Sequence, residues 1–291
     1  MRRNERQSWE GWGHGLLGVV IFSGSLPATR AAVGGFAPLF LTSARAVIAA
    51  GLGAALLALL RQEWPSRHDL GSLAVVALGV VIGFPLLTAL ALQHITSARS
   101  IVFIGLLPLA TALFAVLRPG GERPRPAFWL FSVAGGLLVA GFALTRSSGA
   151  DMRGDLLMAA AILLCGLGYA EGARLSRRLG GWQVISWALV LSAPAMILLA
   201  AVTLPASWSG IAPSAWAGLA YVSVFSMLVG FVFWYRGLAL GGIAGVGQLQ
   251  LLQPFLGLAL AGLVLREPVE GAMLAVAAGV VLCVAAARRF A

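Results

Sequence analysis

Apolar runs of about twenty residues recur along the whole chain, separated by short stretches rich in Arg, Gly, Pro and Ser. A hydrocarbon core about 30 Å thick is crossed by about 20 apolar residues in helix. The pattern predicts spans at 14–33, 36–60, 70–92, 96–117, 127–145, 155–175, 182–203, 213–236, 243–265 and 270–288. The runs are continuous, without the period-two alternation of barrel strands, so each span is expected to be a helix. Pro27, Pro85, Pro108, Pro194 and Pro254 lie inside spans and predict bends or breaks there.

The second five spans echo the first. Pro108 in "FIGLLPLATALFAVL" falls on Pro254 in "LQLLQPFLGLALAGL", and each is followed by a glutamate, Glu122 in "LRPGGERP" and Glu267 in "LREPVEG". Further on, "VAGGLLVAGFAL" answers "AAGVVLCVAAA". A unit with an odd number of crossings makes its tandem copy enter from the opposite side, the arrangement of secondary transporters that bind substrate near the midplane between copies. The expected fold is therefore an all-α membrane protein with ten transmembrane helices in two inverted five-helix repeats. The polar stretch Arg146–Arg153 marks the seam, placing the first repeat in 1–148 and the second in 149–291.

Composition excludes a soluble domain: 60% of the 291 residues are hydrophobic and 10% charged, against about 25% charged in soluble chains. All 20 basic residues are arginine. Fourteen of them fall on the side of the termini, so the positive-inside rule puts both termini in the cytoplasm. The net charge of +10 sits at helix ends and in loops, not on an aromatic-studded soluble face, which argues against nucleic acid. "MRRNERQSWEGWGHG" lacks a small-residue cleavage site after a short apolar core, so the first segment reads as a retained helix. Cys165 and Cys283 form neither a disulfide framework nor a metal spacing. No phosphate loop, metal cluster or serine elbow appears, so no enzyme, cofactor or metal is expected. A channel would want a repeated filter motif, which is missing.

Function then falls to polar groups inside the spans. Arg45, in "LTSARAVIAA", costs about 2.5–3.5 kcal/mol at a helix centre unless it finds a partner or water. It is read either as a carboxylate-binding group or as a tie to helix carbonyls. Gln250 and Gln253 lie about 60° apart on one helix face beside Pro254, with Gln248 turned elsewhere. Ser23, Gly24, Ser25 and Pro27 form the corresponding disturbed patch in the first span. Phe103 and Tyr169 are placed to pack on an aromatic ligand, whereas Trp234 and Tyr235 read as interfacial belt residues. Glu171 is expected to pair with Arg174 three residues on, and His94 to be a polar residue at a helix end. The candidate substrate-binding set is Ser25, Pro27, Arg45, Phe103, Tyr169, Gln250 and Gln253.

On "FSGSLPATRAAV", "FAPLFLTSARAVIAA" and the two proline–glutamate cassettes, the chain resembles the drug/metabolite transporter superfamily in its bacterial EamA-type branch. The resemblance implies ten helices in two inverted repeats, outward movement of amino acids or other metabolites, and a cavity lined by helices 1, 3, 4, 6, 8 and 9. In overall similarity the chain looks most like the bacterial aromatic amino acid exporters. It departs from the pattern in "RPGGE" and in lacking a second-copy arginine to match Arg45. The resulting expectation is a multi-pass protein of the bacterial inner membrane. It exports a small zwitterion with an aromatic or apolar side chain through a largely neutral cavity, with that solute and the lipid bilayer as its partners.

Overall fold

The computed structural model describes residues 2–91, 93–95, 100, 103–117, 121–145, 151–257, 259 and 271–291, and among them there is no strand. The first half comprises α1 (Arg2–Ser23), α2 (Ser25–Val33), α3 (Pro38–Leu59), α4 (Arg67–Val76), α5 (Phe84–Ala91), α6 (Leu107–Leu117) and α7 (Pro126–Leu144). The second comprises α8 (Met152–Leu179), α9 (Gly181–Val202), α10 (Pro213–Tyr221), α11 (Gly230–Gly241), α12 (Ile243–Gly247) and α13 (Gly271–Arg288). Among the described residues, six helical stretches are long and apolar enough to cross a membrane: Ser8–Val33, Pro38–Leu59, Arg67–Ala91, Met152–Leu179, Gly181–Val202 and Pro213–Gly241. Leu107–Leu117, Pro126–Phe142 and Ala275–Arg288 are shorter apolar helices. Most of the seam Arg146–Arg153, and all of the Glu267 cassette glutamate's surroundings, lie outside the described residues.

The first helix starts well before the predicted residue 14 and carries the polar segment "RRNERQSWEGWGHG" as helix. Packing explains the extension. Gly11 and Gly15 on α1 meet Gly237 and Gly241 on α11, each pair spaced one turn apart. A Cβ on Gly237 would stand 2.5 Å from the Gly15 amide. Small residues at this spacing let two helix backbones touch, which drives association where lipid supplies no hydrophobic force.

Two π-helical stretches interrupt long helices, at Ala77–Gly83 between α4 and α5 and at Val222–Val229 between α10 and α11. Their starts are separated by the same interval, within one residue, as Pro108 and Pro254. In the first, Phe84 N donates to Gly79 O, and Pro85, which has no amide donor, comes next. The second has no proline, yet Gly230 N donates to Phe225 O in the same way. A 3₁₀ turn, Gln248–Leu252, precedes Pro254. Gly24 separates α1 from α2 in the patch around Ser25. The helix α9 continues through Pro194 without a break.

The main packing partners are α1 with α11, α2 with α10, α5 and α6 with α8, α3 with α9, and α7 with α13. Exchanging the two halves turns the α1–α11 pair into the α8–α5 pair and returns α3–α9 and α7–α13 to themselves.

Candidate functional site

A cavity of about 230 Å³ lies at the centre of the bundle, walled by α1, α2, α3, α5, α6, α8, α11, the two π stretches and the 3₁₀ turn. It reaches towards the end of the bundle opposite the start of α1, where Val33 is exposed and Gln93 closes the wall. Of the candidate residues, Ser25, Arg45, Tyr169, Gln250 and Gln253 all stand in this wall. Pro27 and Phe103 do not line it; both are half-buried, and Phe103 packs against the main core.

The break at Gly24 is what turns Ser25 inward. Tyr221 donates to Ile21 O at 2.9 Å, satisfying a carbonyl near the break, and a Cβ on Gly24 would collide with that hydroxyl. Ser25 Oγ then donates to Ser226 Oγ at 2.8 Å, and Arg45 Nη2 donates to the same oxygen at 3.2 Å. One π-stretch serine thus joins α2 and α3. The Nε of Arg45 is buried and makes no hydrogen bond, as do Thr88 Oγ1 and Gln250 Oε1 in the same wall. Buried polar groups left unmade cost about 1–3 kcal/mol, more when charged. Three of them converging on one cavity point to a ligand. Gln250 Nε2 donates to Tyr169 Oη at 3.3 Å, and Gln253 Nε2 reaches Phe22 O at 3.5 Å. Gln248 is fully buried, and neither of its amide atoms has a partner.

Among the described lining residues Arg45 is the only charged one. The described wall thus carries one fixed cation and no carboxylate. The closed end is aromatic. Phe22 and Phe231 meet edge to face at 5.0 Å, and Tyr169 lies 5.9 Å from Phe231 and 5.5 Å from Trp234. Trp234 and Tyr235 are fully buried beneath this floor, not at an interface. The predicted span ended at Arg236, but the helix continues to Gly241 because its glycines pack on α1, so the ring pair sits a turn deeper.

Beyond the floor, towards the start of α1, three arginines of α8 tie the bundle together. Arg174 pairs with buried Glu171, as expected, and also donates to Ser72 at 2.9 Å. Arg178 pairs with Asp69 of α4, which is buried. Arg177 Nη2 donates to Glu122 Oε1 at 2.8 Å. Glu122 also accepts from Ile243 N and Ala244 N, each at 2.7 Å, so it caps α12 after a Gly242 at φ 91°. A carboxylate bonded to the first amides of a helix also meets the positive end of its dipole. His94 pairs with Asp151 at 3.2 Å at the opposite end.

Sequence reasoning missed Ser226, Thr88, Phe22 and Phe231. Thr88, a hydroxyl three residues after an in-span proline, carried a usable signal. Ser226 did not, because its inward position depends on the π register.

An all-helical membrane protein with a small, largely apolar cavity between its halves, set with a few buried polar groups, has the architecture of a carrier. The chain belongs to the EamA-like transporter family, whose pattern it matches twice, over residues 10–146 and 152–288, and it is a membrane transporter. It is 68% identical over 281 residues to the uncharacterized transporter YdeK of Bacillus subtilis (strain 168), spanning 97% of this chain and 98% of that one. It is 27% identical over 235 residues to the uncharacterized transporter YyaM of the same organism, spanning 77% and 76%. A solved structure described as "Crystal structure of protein" shares the fold, with a TM-score of 0.78 at 22% identity over 95% of this chain and 96% of that chain.

Proposed function

We propose that this chain exports a small carboxylate-bearing metabolite, an amino acid with an aromatic or apolar side chain, by alternating access through the central cavity. The observation that carries this reading is the Arg45 guanidinium, whose Nε is unbonded and which is the one charged group among the described lining residues. It takes the carboxylate; Gln250 Oε1 and Thr88 Oγ1 accept from the ammonium group; the Phe22, Phe231 and Tyr169 rings receive the side chain. Drug-sized ligands occupy pockets of about 300–1,000 Å³, so a cavity of about 230 Å³ favours a small metabolite. The two halves act as inverted five-helix repeats with ten crossings in a bacterial inner membrane. Both termini are cytoplasmic, and the cavity in this conformation faces outward.

The test is flux in proteoliposomes of purified protein loaded with labelled tryptophan, phenylalanine, threonine, tryptamine or putrescine. Tryptophan or phenylalanine should move fastest, and tryptamine, which lacks the carboxylate, should be excluded. Putrescine moving faster than every amino acid would overturn the substrate assignment.

A further inference from the structure

A second pocket, of about 370 Å³, opens at the end of the bundle where α1 starts. Ser8 and Trp12 of α1, Arg123 beside Glu122, the Gly241–Gly242 turn and Arg288 of α13 line it. The Arg288 guanidinium lies 3.8 Å from the centre of the Trp9 ring and 4.8 Å from that of Trp12. Stacking holds a guanidinium in place through its faces and leaves its N–H edge available. Neither Arg288 nor Arg123 makes a hydrogen bond or ion pair among the described residues. Glu122, the one acidic side chain among the described lining residues, already has both oxygens engaged by Arg177 and two helix amides, and Ala291 completes the wall. Two arginines without a hydrogen bond or ion pair among the described residues therefore share one concave site.

The surroundings say which anion. Trp9 is 64% exposed on a helix that reads as a membrane span, and tryptophan beside arginine marks the membrane–water boundary. Basic pockets between transmembrane helices at this level take anionic headgroups, and guanidinium groups match phosphate with paired donors. We propose that this pocket binds the phosphate of an anionic phospholipid in the leaflet at the α1 end. The headgroup touches α1, α13, the segment leading into α7 and the turn before α12, so it bridges both halves beside the Glu122 cap.

The inference rests on the membrane reading but not on transport, and its test needs no flux. Purified full-length protein is placed in phosphatidylcholine nanodiscs with and without phosphatidylglycerol, and bound lipid is counted by native mass spectrometry. The pocket variant R123Q/R288Q is compared with R61Q/R67Q, which removes equal charge from the α3–α4 connection at the same end. R123Q alone provides a milder variant should the pair fold poorly. Wild type and R61Q/R67Q should retain phosphatidylglycerol over phosphatidylcholine by about tenfold, and the pocket variants should lose most of that preference. Equal retention by pocket variant and control would overturn the site. Inorganic phosphate or glycerol phosphate protecting wild type from thermal unfolding as well as the lipid does would overturn the lipid as its source.

Discussion

Arg45 is the residue on which the cavity's selectivity turns. A hydrogen bond to a charged group is worth about 1.5–3 kcal/mol. Arg45→Gln should therefore weaken binding of a carboxylate solute by about ten- to a hundredfold, with Arg45→Lys falling between. Folded stability should hold or rise, since the change removes a buried charge whose Nε is unbonded. Isothermal titration in detergent with tryptophan and tryptamine checks the first statement, and thermal unfolding of the two proteins checks the second. Equal affinity of wild type and Arg45→Gln for tryptophan would detach Arg45 from recognition. The residue itself was conspicuous in the sequence, because an arginine ten residues into an apolar run stands out against its neighbours. Its partner was not, because nothing in "VSVFSML" shows that Ser226 faces inward. Phe103 misled for a related reason: ring type and depth along a helix do not give the face, and the face is set by packing against the core.

At the scale of elements, glycine contacts hold the helices at backbone distance. Gly79 sits in the first π stretch, where a Cβ would stand 2.5 Å from Leu164 O and 2.9 Å from Gly168 Cα. Gly51 on α3 is exposed, with nothing within 4 Å of such an atom. Gly79→Ala should cost about 1–3 kcal/mol through overpacking. Gly51→Ala should be neutral or gain up to about 1 kcal/mol of helix propensity. Thermal unfolding monitored by tryptophan fluorescence separates them; similar midpoints for the two variants would contradict the packing described. Most span positions were legible, since apolar length alone marks a helix in a hydrocarbon slab. What escaped were places where tertiary contact overrides local pattern: the early start of α1, the late end of α11, and two π registers whose bonding shift leaves no compositional trace.

For the whole molecule, the cavity reaches one end while the other is tied shut, and Glu122 is the central tie. Its place in a repeated proline–glutamate cassette was visible in the sequence, but its role as a cap on a helix of the other half was not. We expect Glu122→Gln to weaken the Arg177 pair and one amide bond, and so to raise the population open at the α1 end. In a background lacking Cys165 and Cys283, Gln253→Cys should then react several-fold faster with an impermeant maleimide applied from that end. Unchanged reactivity would show that closure there does not depend on Glu122.

Arg174, Arg177 and Arg178 lie on adjacent turns of a single helix; Arg174 and Arg178 reach α4 at Ser72 and Asp69, and Arg177 reaches Glu122. All three side chains are about half exposed, so dissolved ions reach them. Charges in water lose sight of one another over a Debye length, about 10 Å at 0.1 M and about 3 Å at 1 M. The waiting time before the carrier turns over should therefore respond to electrolyte, and on one face only. Raising sodium chloride from low millimolar to half molar on the α1 side of oriented vesicles should quicken turnover. The same salt on the opposite side should leave the rate unchanged. A lag that shortens equally from either side would mean that some other step keeps the time.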